Sequence, residues 1–120
     1  MNVYGLVDID NFTLFNHKYG YEQGNKVLES LESLINEILT PLFSKRVNSD
    51  EFIFKLNGSF EENDKILFDL LSVVNDRLGI TISVGLKEAD DKFNYKQNIN
   101  KIMSAMLIAK RNGKNKICLI

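Results

Sequence analysis

The sequence has little or none of several features that mark particular protein classes. Cys118 is the single cysteine and His17 the single histidine, so we expect no internal disulfide and no Cys/His zinc site. No apolar stretch approaches the ~18–20 residues that a membrane helix needs, and no basic and apolar leader opens the chain. Fifteen Lys and Arg against sixteen Asp and Glu give a net charge of −1, which provides no broad field for a nucleic acid. These absences predict a soluble, cytoplasmic protein with no membrane contact and no stable nucleic-acid complex.

The length predicts one domain over residues 1–120. Domains commonly contain ~100–200 residues. Hydrophobic residues make up 44% of the chain and charged residues 26%, with one proline, which is typical of a folded globular protein. We therefore expect a single core.

The spacing of apolar residues predicts alternating strands and helices. Continuous or alternating apolar runs predict strands near residues 3–7, 43–47, 51–56, 80–86 and 116–120. Apolar residues at helical spacing predict a long helix from residue 27 to Pro41 and two later helices, while 11–15 suits a short helix and 87–98 a surface loop. The order predicts an α+β fold of ferredoxin-like β-α-β-β-α-β type, a sheet with helices on one face, followed by an additional C-terminal helix and strand.

Four carboxylates lie at the ends of predicted strands. Asp8 and Asp10 leave the first strand, while Asp50 and Glu51 occupy the turn of the next hairpin. These strands are neighbours in a ferredoxin-like sheet, so we expect the four groups to converge. Carboxylates at such short separations repel one another unless a cation binds them. Mg²⁺ is a suitable cation because it prefers oxygen ligands. A structural explanation stays open, in which Asp10 caps the following helix and Asp50 stabilises a turn.

Four segments, in order along the chain, resemble motifs of one enzyme family. VDIDNFTLFNHKYGYEQGNKVL is similar to the first signature of GGDEF-type nucleotidyl cyclases, and RVNSDEF stands where their GG[DE]EF hairpin belongs. ITISVG and AKRNGKNKI resemble their later strand and their C-terminal phosphate-binding stretch. The resemblance spans essentially the whole chain and implies a palm domain that makes cyclic nucleotides.

The sequence departs from the GGDEF pattern in two places. Asn48 and Ser49 replace the two hairpin glycines, and the first strand begins at Met1 without the family's preceding D-x-L-T-x-L-x-N-R signature. In these respects the chain more closely resembles the minimal CRISPR polymerases. That resemblance implies a cyclic nucleotide signal in prokaryotic antiviral defence.

The resemblance implies roles for the acidic residues. Asp8, Asp50 and Glu51 would be catalytic. Asp8, Asp50 and the backbone carbonyl of Ile9 would bind metal, with Asp10 as a further ligand or a supporting residue. The implied cofactor is Mg²⁺ or Mn²⁺, as two ions, which stabilise the attacking and leaving oxygens of an in-line displacement.

Two lysines and two asparagines complete the implied site. Lys110 and Lys114 occupy the family's triphosphate-binding positions, although a basic helix C-terminus is also favoured by the helix dipole alone. Asn16 falls where the family places a base-contacting Asn, and Asn25 where guanylate cyclases carry an Asp. An Asn amide both donates and accepts, so it matches adenine, which favours ATP over GTP. The alternative is that Asn25 only caps the long helix.

Three functions remain open on this sequence. The first is a metal-dependent nucleotidyltransferase that condenses two nucleoside triphosphates into a cyclic dinucleotide with release of pyrophosphate. Because one protomer of this size holds one triphosphate, ring closure implies a homodimer. The second is a degenerate, non-catalytic module that binds a nucleotide or a partner. The third is a ferredoxin-like interaction domain, which fold alone does not exclude.

Overall fold

The computed structural model describes residues 1–120 and contains five strands and four helices. They are β1 (Asn2–Ile9), α1 (Phe12–Tyr19), α2 (Tyr21–Leu39), β2 (Phe43–Val47), β3 (Glu51–Asn57), α3 (Phe60–Leu78), β4 (Ile82–Ala89), α4 (Tyr95–Arg111) and β5 (Ile117–Leu119). The element order and the α+β fold class predicted from the sequence are confirmed. None of the helices combines the length and apolar character that crossing a lipid bilayer requires.

The strands form one sheet in the order β2-β3-β1-β4-β5. The first four strands pair antiparallel, as in a ferredoxin-like sheet, whereas β5 runs parallel to β4. The central strand is β1, so its last residues lie between the ends of two neighbours. Asp8 is directly opposite Glu51 on β3 and Ser83 on β4. The sheet topology therefore places Asp8 next to Glu51, and both are predicted site residues.

Helices cover both faces of the sheet. Side chains alternate along β1, so that Val3 and Val7 pack with α2 and α3, whereas Tyr4 and Leu6 pack with Ile102 and Met106 of α4. The sequence predicts helices on one face for the β-α-β-β-α-β part, and the additional helix α4 covers the other face.

Gly85 allows α4 to approach the sheet closely. A Cβ at this position would lie 2.3 Å from the backbone nitrogen of Met106 and 2.4 Å from the carbonyl oxygen of Ile102. Only a residue without a side chain fits there. The close contact fixes α4 over β4 and carries its last turn towards the end of β1.

Several element boundaries differ from the sequence prediction. Helix α2 begins at Tyr21 rather than at residue 27, because its first turns are mostly exposed and show no apolar period. Part of the predicted loop 87–98 is regular structure. Strand β4 continues to Ala89 by pairing with β1, and α4 begins after Asn94, whose side chain accepts hydrogen bonds from the amides of Lys96 and Gln97.

Candidate active site

The β2–β3 hairpin supplies two of the predicted acidic residues. Val47 pairs with Glu51 across the turn of residues 48–50. Asn48 has φ 54°, a left-handed conformation that asparagine adopts more readily than most residues. The guanidinium of Arg46 donates to the carbonyl oxygen of Ser49, with Nε at 3.0 Å. The turn therefore forms without the two glycines that the family carries.

The structure brings five predicted site residues to one cavity. Its volume is about 400 Å³, and its lining includes Asp8, Ile9, Asp50, Lys110 and Lys114, together with the start of α1. Glu51 is buried at the edge of this group, opposite Asp8 on the neighbouring strand. Acidic residues of β1 and the hairpin thus face basic residues from the last turn of α4 and the segment after it.

The carboxyl group of Asp8 is poorly solvated and only partly neutralised. Burial, with smaller contributions from the charges of Asp50 and Glu51, raises its pKa to about 6 against the opposing charge and hydrogen bond of Lys110. Its Oδ2 lies 3.2 Å from Nζ of Lys110, whereas its Oδ1 is buried and has no hydrogen-bond partner. Such an orphaned anionic oxygen is the kind of ligand that a bound cation would satisfy.

Asp10 differs from Asp8 because both of its carboxylate oxygens accept hydrogen bonds from groups of the protein. Its side chain is 0% exposed. It accepts hydrogen bonds from the hydroxyls of Thr81 and Ser83, each at 2.7 Å, and from the backbone N–H of Asn115 and Nζ of Lys110, each at 3.0 Å. Burial opposes its ionisation, but the hydrogen bonds of Ser83 and Thr81 and then those of Asn115 and Lys110 outweigh burial and lower its pKa.

This environment bears on the two sequence-based interpretations of Asp10. The side chain of Asp10 accepts hydrogen bonds from β4 and shares Lys110 with Asp8, so donors within the protein already occupy its oxygens. It does not cap α1, since the N-cap residue there is Asn11. The hydrogen bonds favour a role in positioning Lys110 over the metal-ligand role that the sequence suggests.

The two lysines occupy different environments. Burial acts to lower the pKa of Lys110, but the hydrogen bond to Asp10 and the charges of Asp8 and Asp10 outweigh burial, so the pKa is raised. The side chain is therefore positively charged. Lys114 is half-buried, has φ 64°, and donates from Nζ to Oδ1 of Asn11 at 2.7 Å. Both ammonium groups lie on the carboxylate cavity, as a phosphate-binding role requires.

A second cavity adjoins the first and contains the two asparagines predicted to contact the base. Its volume is about 250 Å³, and its lining includes Asn16 and Asn25. Phe12, Thr13 and Asp50 line both cavities. We refer to these two adjoining cavities together as the groove, which extends from the asparagines to the lysines.

Asn16 lies at the contact of α1 with α2. Oδ1 of Asn16 is buried without a hydrogen-bond partner. It lies so close to Gly24 that a Cβ there would be 1.9 Å from it. Helix α2 begins at Tyr21 after Gly20, so Asn25 is in its second turn, and the alternative that it caps the helix is wrong. An unpaired buried acceptor favours a ligand that offers an N–H donor.

Sequence reasoning missed several residues of this groove and of its support. Thr13, Tyr21 and Arg46 line the cavity of Asn16 and Asn25, and His17 is exposed at its rim. The partners of Asp10 were also missed. Arg46 had a possible signal, since it lies two residues before the hairpin turn. The hydroxyls of Thr81 and Ser83 gave none, because 71 and 73 residues separate them from Asp10.

The residues of the groove fit a divalent cation in chemistry. Asp8, Asp50 and the Ile9 carbonyl offer oxygen atoms, which are the ligands that divalent cations such as Mg²⁺ prefer. Oδ1 of Asp8 has no hydrogen-bond partner, and a bound cation would satisfy it. No three His, Cys, Asp or Glu side chains already form a compact metal cage. A larger cavity of about 570 Å³ between α3 and β5 contains none of the predicted site residues.

Comparisons with known proteins identify the family of this chain. The family profile described as diguanylate cyclase, GGDEF domain, matches residues 4–116. The chain is 25% identical to the diguanylate cyclase DgcS of Shewanella oneidensis, over 92% of this chain and 39% of the relative. It is 28% identical to a diguanylate cyclase of Vibrio cholerae, over 94% of this chain and 38% of the relative.

A solved structure has the same fold. The crystal structure of the diguanylate cyclase SiaD from Pseudomonas aeruginosa, in complex with its activator SiaC, superposes with a TM-score of 0.88 at 26% identity, covering 99% of this chain and 50% of that one. The chain belongs to the GGDEF domain family, in which the metal-dependent nucleotidyl cyclases are found. It spans about two fifths of the length of the two cyclases named above.

Proposed function

We propose that this chain is a nucleotidyl cyclase that joins two purine nucleoside triphosphates into a cyclic dinucleotide and releases pyrophosphate. The observation that carries the proposal is the pair of adjoining cavities, with two asparagine amides at one end and carboxylates and two lysines at the other. A nucleoside triphosphate has its own hydrogen-bonding base and anionic tail in the same order. The homologous cyclases support the assignment.

The proposal gives the following side chains of the groove a task. Asn16 and Asn25 orient the base, and Lys110 and Lys114 bind the β- and γ-phosphates. Asp8, Asp50 and the Ile9 carbonyl would hold Mg²⁺ or Mn²⁺, with Glu51 as a further carboxylate beside Asp8. When bound, such ions lower the pKa of the attacking hydroxyl and neutralise the leaving pyrophosphate. Asp10 keeps Lys110 at the phosphate end of the groove.

The reaction requires two copies of this groove. In each half-reaction the 3′- or 2′-hydroxyl of one nucleotide attacks the α-phosphate of the other. A new P–O bond forms, the bond to the β-phosphate breaks, and pyrophosphate departs. One groove has room for one triphosphate, so we propose that two chains face one another as a homodimer while the ring closes.

The relatives and the residue at position 25 favour different bases in the substrate. The relatives named as diguanylate cyclases favour GTP. Asn25, an amide where the resemblance implies a carboxylate, favours acceptance of ATP. We propose GTP as the substrate on the strength of the relatives and keep ATP as the second candidate on the strength of Asn25. The narrower assignment to the minimal CRISPR polymerases, with a role in antiviral defence, rests on the replaced hairpin glycines and stays a prediction.

Mass spectrometry of reaction products tests the proposal directly. The purified chain is incubated with each nucleoside triphosphate and Mg²⁺ or Mn²⁺, and we expect a cyclic dinucleotide and pyrophosphate. Asp50→Asn should abolish the product while circular dichroism stays unchanged, because it removes a charge from a half-buried turn without changing volume. Asp69→Asn, on the exposed face of α3, is the matched control and should retain activity. Nucleotide binding without any product would favour the non-catalytic alternative.

A further inference from the structure

Asn48 contacts the carboxylate of Glu51, which lies beside the groove. Its Nδ2 donates a hydrogen bond to Oε1 of Glu51, three residues later. Glu51 is buried, with 9% of its surface exposed, and its Oε2 accepts no hydrogen bond within the protein. The amide of Asn48 therefore restrains one oxygen of Glu51 and leaves the other available.

The turn does not depend on this side-chain contact. Val47 and Glu51 remain paired across the hairpin, and Arg46 donates to the carbonyl oxygen of Ser49. Asn48 meets the backbone requirement of the turn through its left-handed conformation, which glycine meets at least as well. Hence the hydrogen bond to Glu51 is a property that glycine at this position would lack.

The position of Glu51 gives this contact a consequence. Glu51 is the first residue of β3 and lies directly opposite Asp8, whose Oδ1 has no partner. A carboxylate held by a neighbouring amide keeps one rotamer, so Glu51 stays beside Asp8 at the ends of the paired strands. Groups that orient metal-binding carboxylates in this way commonly contribute 10- to 100-fold to affinity or activity.

We propose that Asn48 is a positioning residue, which orients the carboxylate of Glu51 for the divalent cation of the proposed active site. The inference rests on the proposed function. It assigns the asparagine at the first glycine position of the family hairpin a task that the glycine does not perform.

Mn²⁺ binding by electron paramagnetic resonance tests the inference without turnover. We expect Asn48→Gly to weaken Mn²⁺ binding about tenfold and to lower kcat with little change in the KM for nucleotide. Thr40→Gly is the matched control. Thr40 also has a positive φ, of 40°, but it ends α2 away from the groove, so Mn²⁺ binding should stay unchanged. Wild-type affinity in Asn48→Gly, or no Mn²⁺ binding to the wild-type chain, would overturn the inference.

A double-mutant cycle shows whether Asn48 acts through Glu51. In a Glu51→Gln background, Asn48→Gly should change the Mn²⁺ affinity less than twofold, because the carboxylate that it orients is gone. Independent effects that multiply would overturn the inference. This coupling is separable from the cyclase proposal. Coupled Mn²⁺ binding without any nucleotide product would contradict only the cyclase, and product formation without coupling would contradict only the role of Asn48.

Discussion

Lys110 and Asp10 form an ion pair, with 3.0 Å between Nζ and Oδ1, that joins the last turn of α4 to the end of β1. The same ammonium group lies 3.2 Å from Oδ2 of Asp8. One lysine therefore bridges a carboxylate that is saturated with hydrogen bonds and one that retains a free oxygen. Asp10 holds the lysine in place, and Asp8 keeps capacity for a ligand.

Asp10→Asn should destabilise the fold. All four groups that contact the carboxylate are donors, so an amide nitrogen in its place would face donors and leave polar groups unpaired. We expect a loss of about 1–3 kcal/mol in the free energy of unfolding, measured by urea denaturation. The control is Asp69→Asn, which breaks an exposed pair with Lys65 and should cost about 0.3–0.5 kcal/mol. Equal effects of the two changes would contradict the structural role of Asp10.

Asp8→Asn should stabilise the metal-free protein at alkaline pH. The pKa of Asp8 is raised from 3.8 to about 6, so the fold favours its neutral form. That contribution is fully present below about pH 4 and is lost as the pH rises through about 6. In EDTA at pH 8 we expect the variant to be about 1–2 kcal/mol more stable than wild type, with allowance for solvent screening. The difference should shrink as the pH falls from 6 to 4, and a less stable variant at pH 8 would contradict the burial of this charge.

The parts of the site that the sequence predicted correctly depend on local pattern and on sheet order. The turn at Asn48 follows from residue types that tolerate left-handed backbone. The proximity of Asp8 and Glu51 follows from placing β3 beside β1, which the ferredoxin-like order already implies. These relationships need no knowledge of side-chain packing.

The parts that could not be predicted depend on distant contacts. Nothing in the spacing of α4 indicates which face of the sheet it covers, because that choice depends on the contact of its backbone with Gly85. Likewise, Asp10 has the same residue type and strand-end position as Asp8. Only its donors, Thr81, Ser83 and Asn115, distinguish a buried structural carboxylate from an open one.

The two lysines should respond differently to truncation. Lys114→Ala should raise the KM for the triphosphate about 10- to 150-fold, the equivalent of one charge-assisted hydrogen bond of about 1.5–3 kcal/mol, with a smaller effect on kcat. Lys110→Ala should raise KM similarly and also lower the melting temperature, because it leaves the buried Asp10 without its cation. Lys101→Ala, on an exposed position of α4, should change neither quantity. An unchanged KM in both groove variants would remove the lysines from the phosphate site.

Asn25→Asp should shift the choice of base towards GTP. A carboxylate accepts from both N1–H and the 2-amino group of guanine, but it places an acceptor against N1 of adenine. The mismatch leaves a polar group unpaired in the nucleotide complex, which costs about 1–3 kcal/mol, or ~5- to 150-fold in preference. Competition assays with equimolar ATP and GTP measure the ratio, with Asn100→Asp on the exposed surface of α4 as a control for the added charge. The direction holds whichever base the wild-type chain prefers, so identical ratios for wild type and Asn25→Asp would show that Asn25 does not read the base.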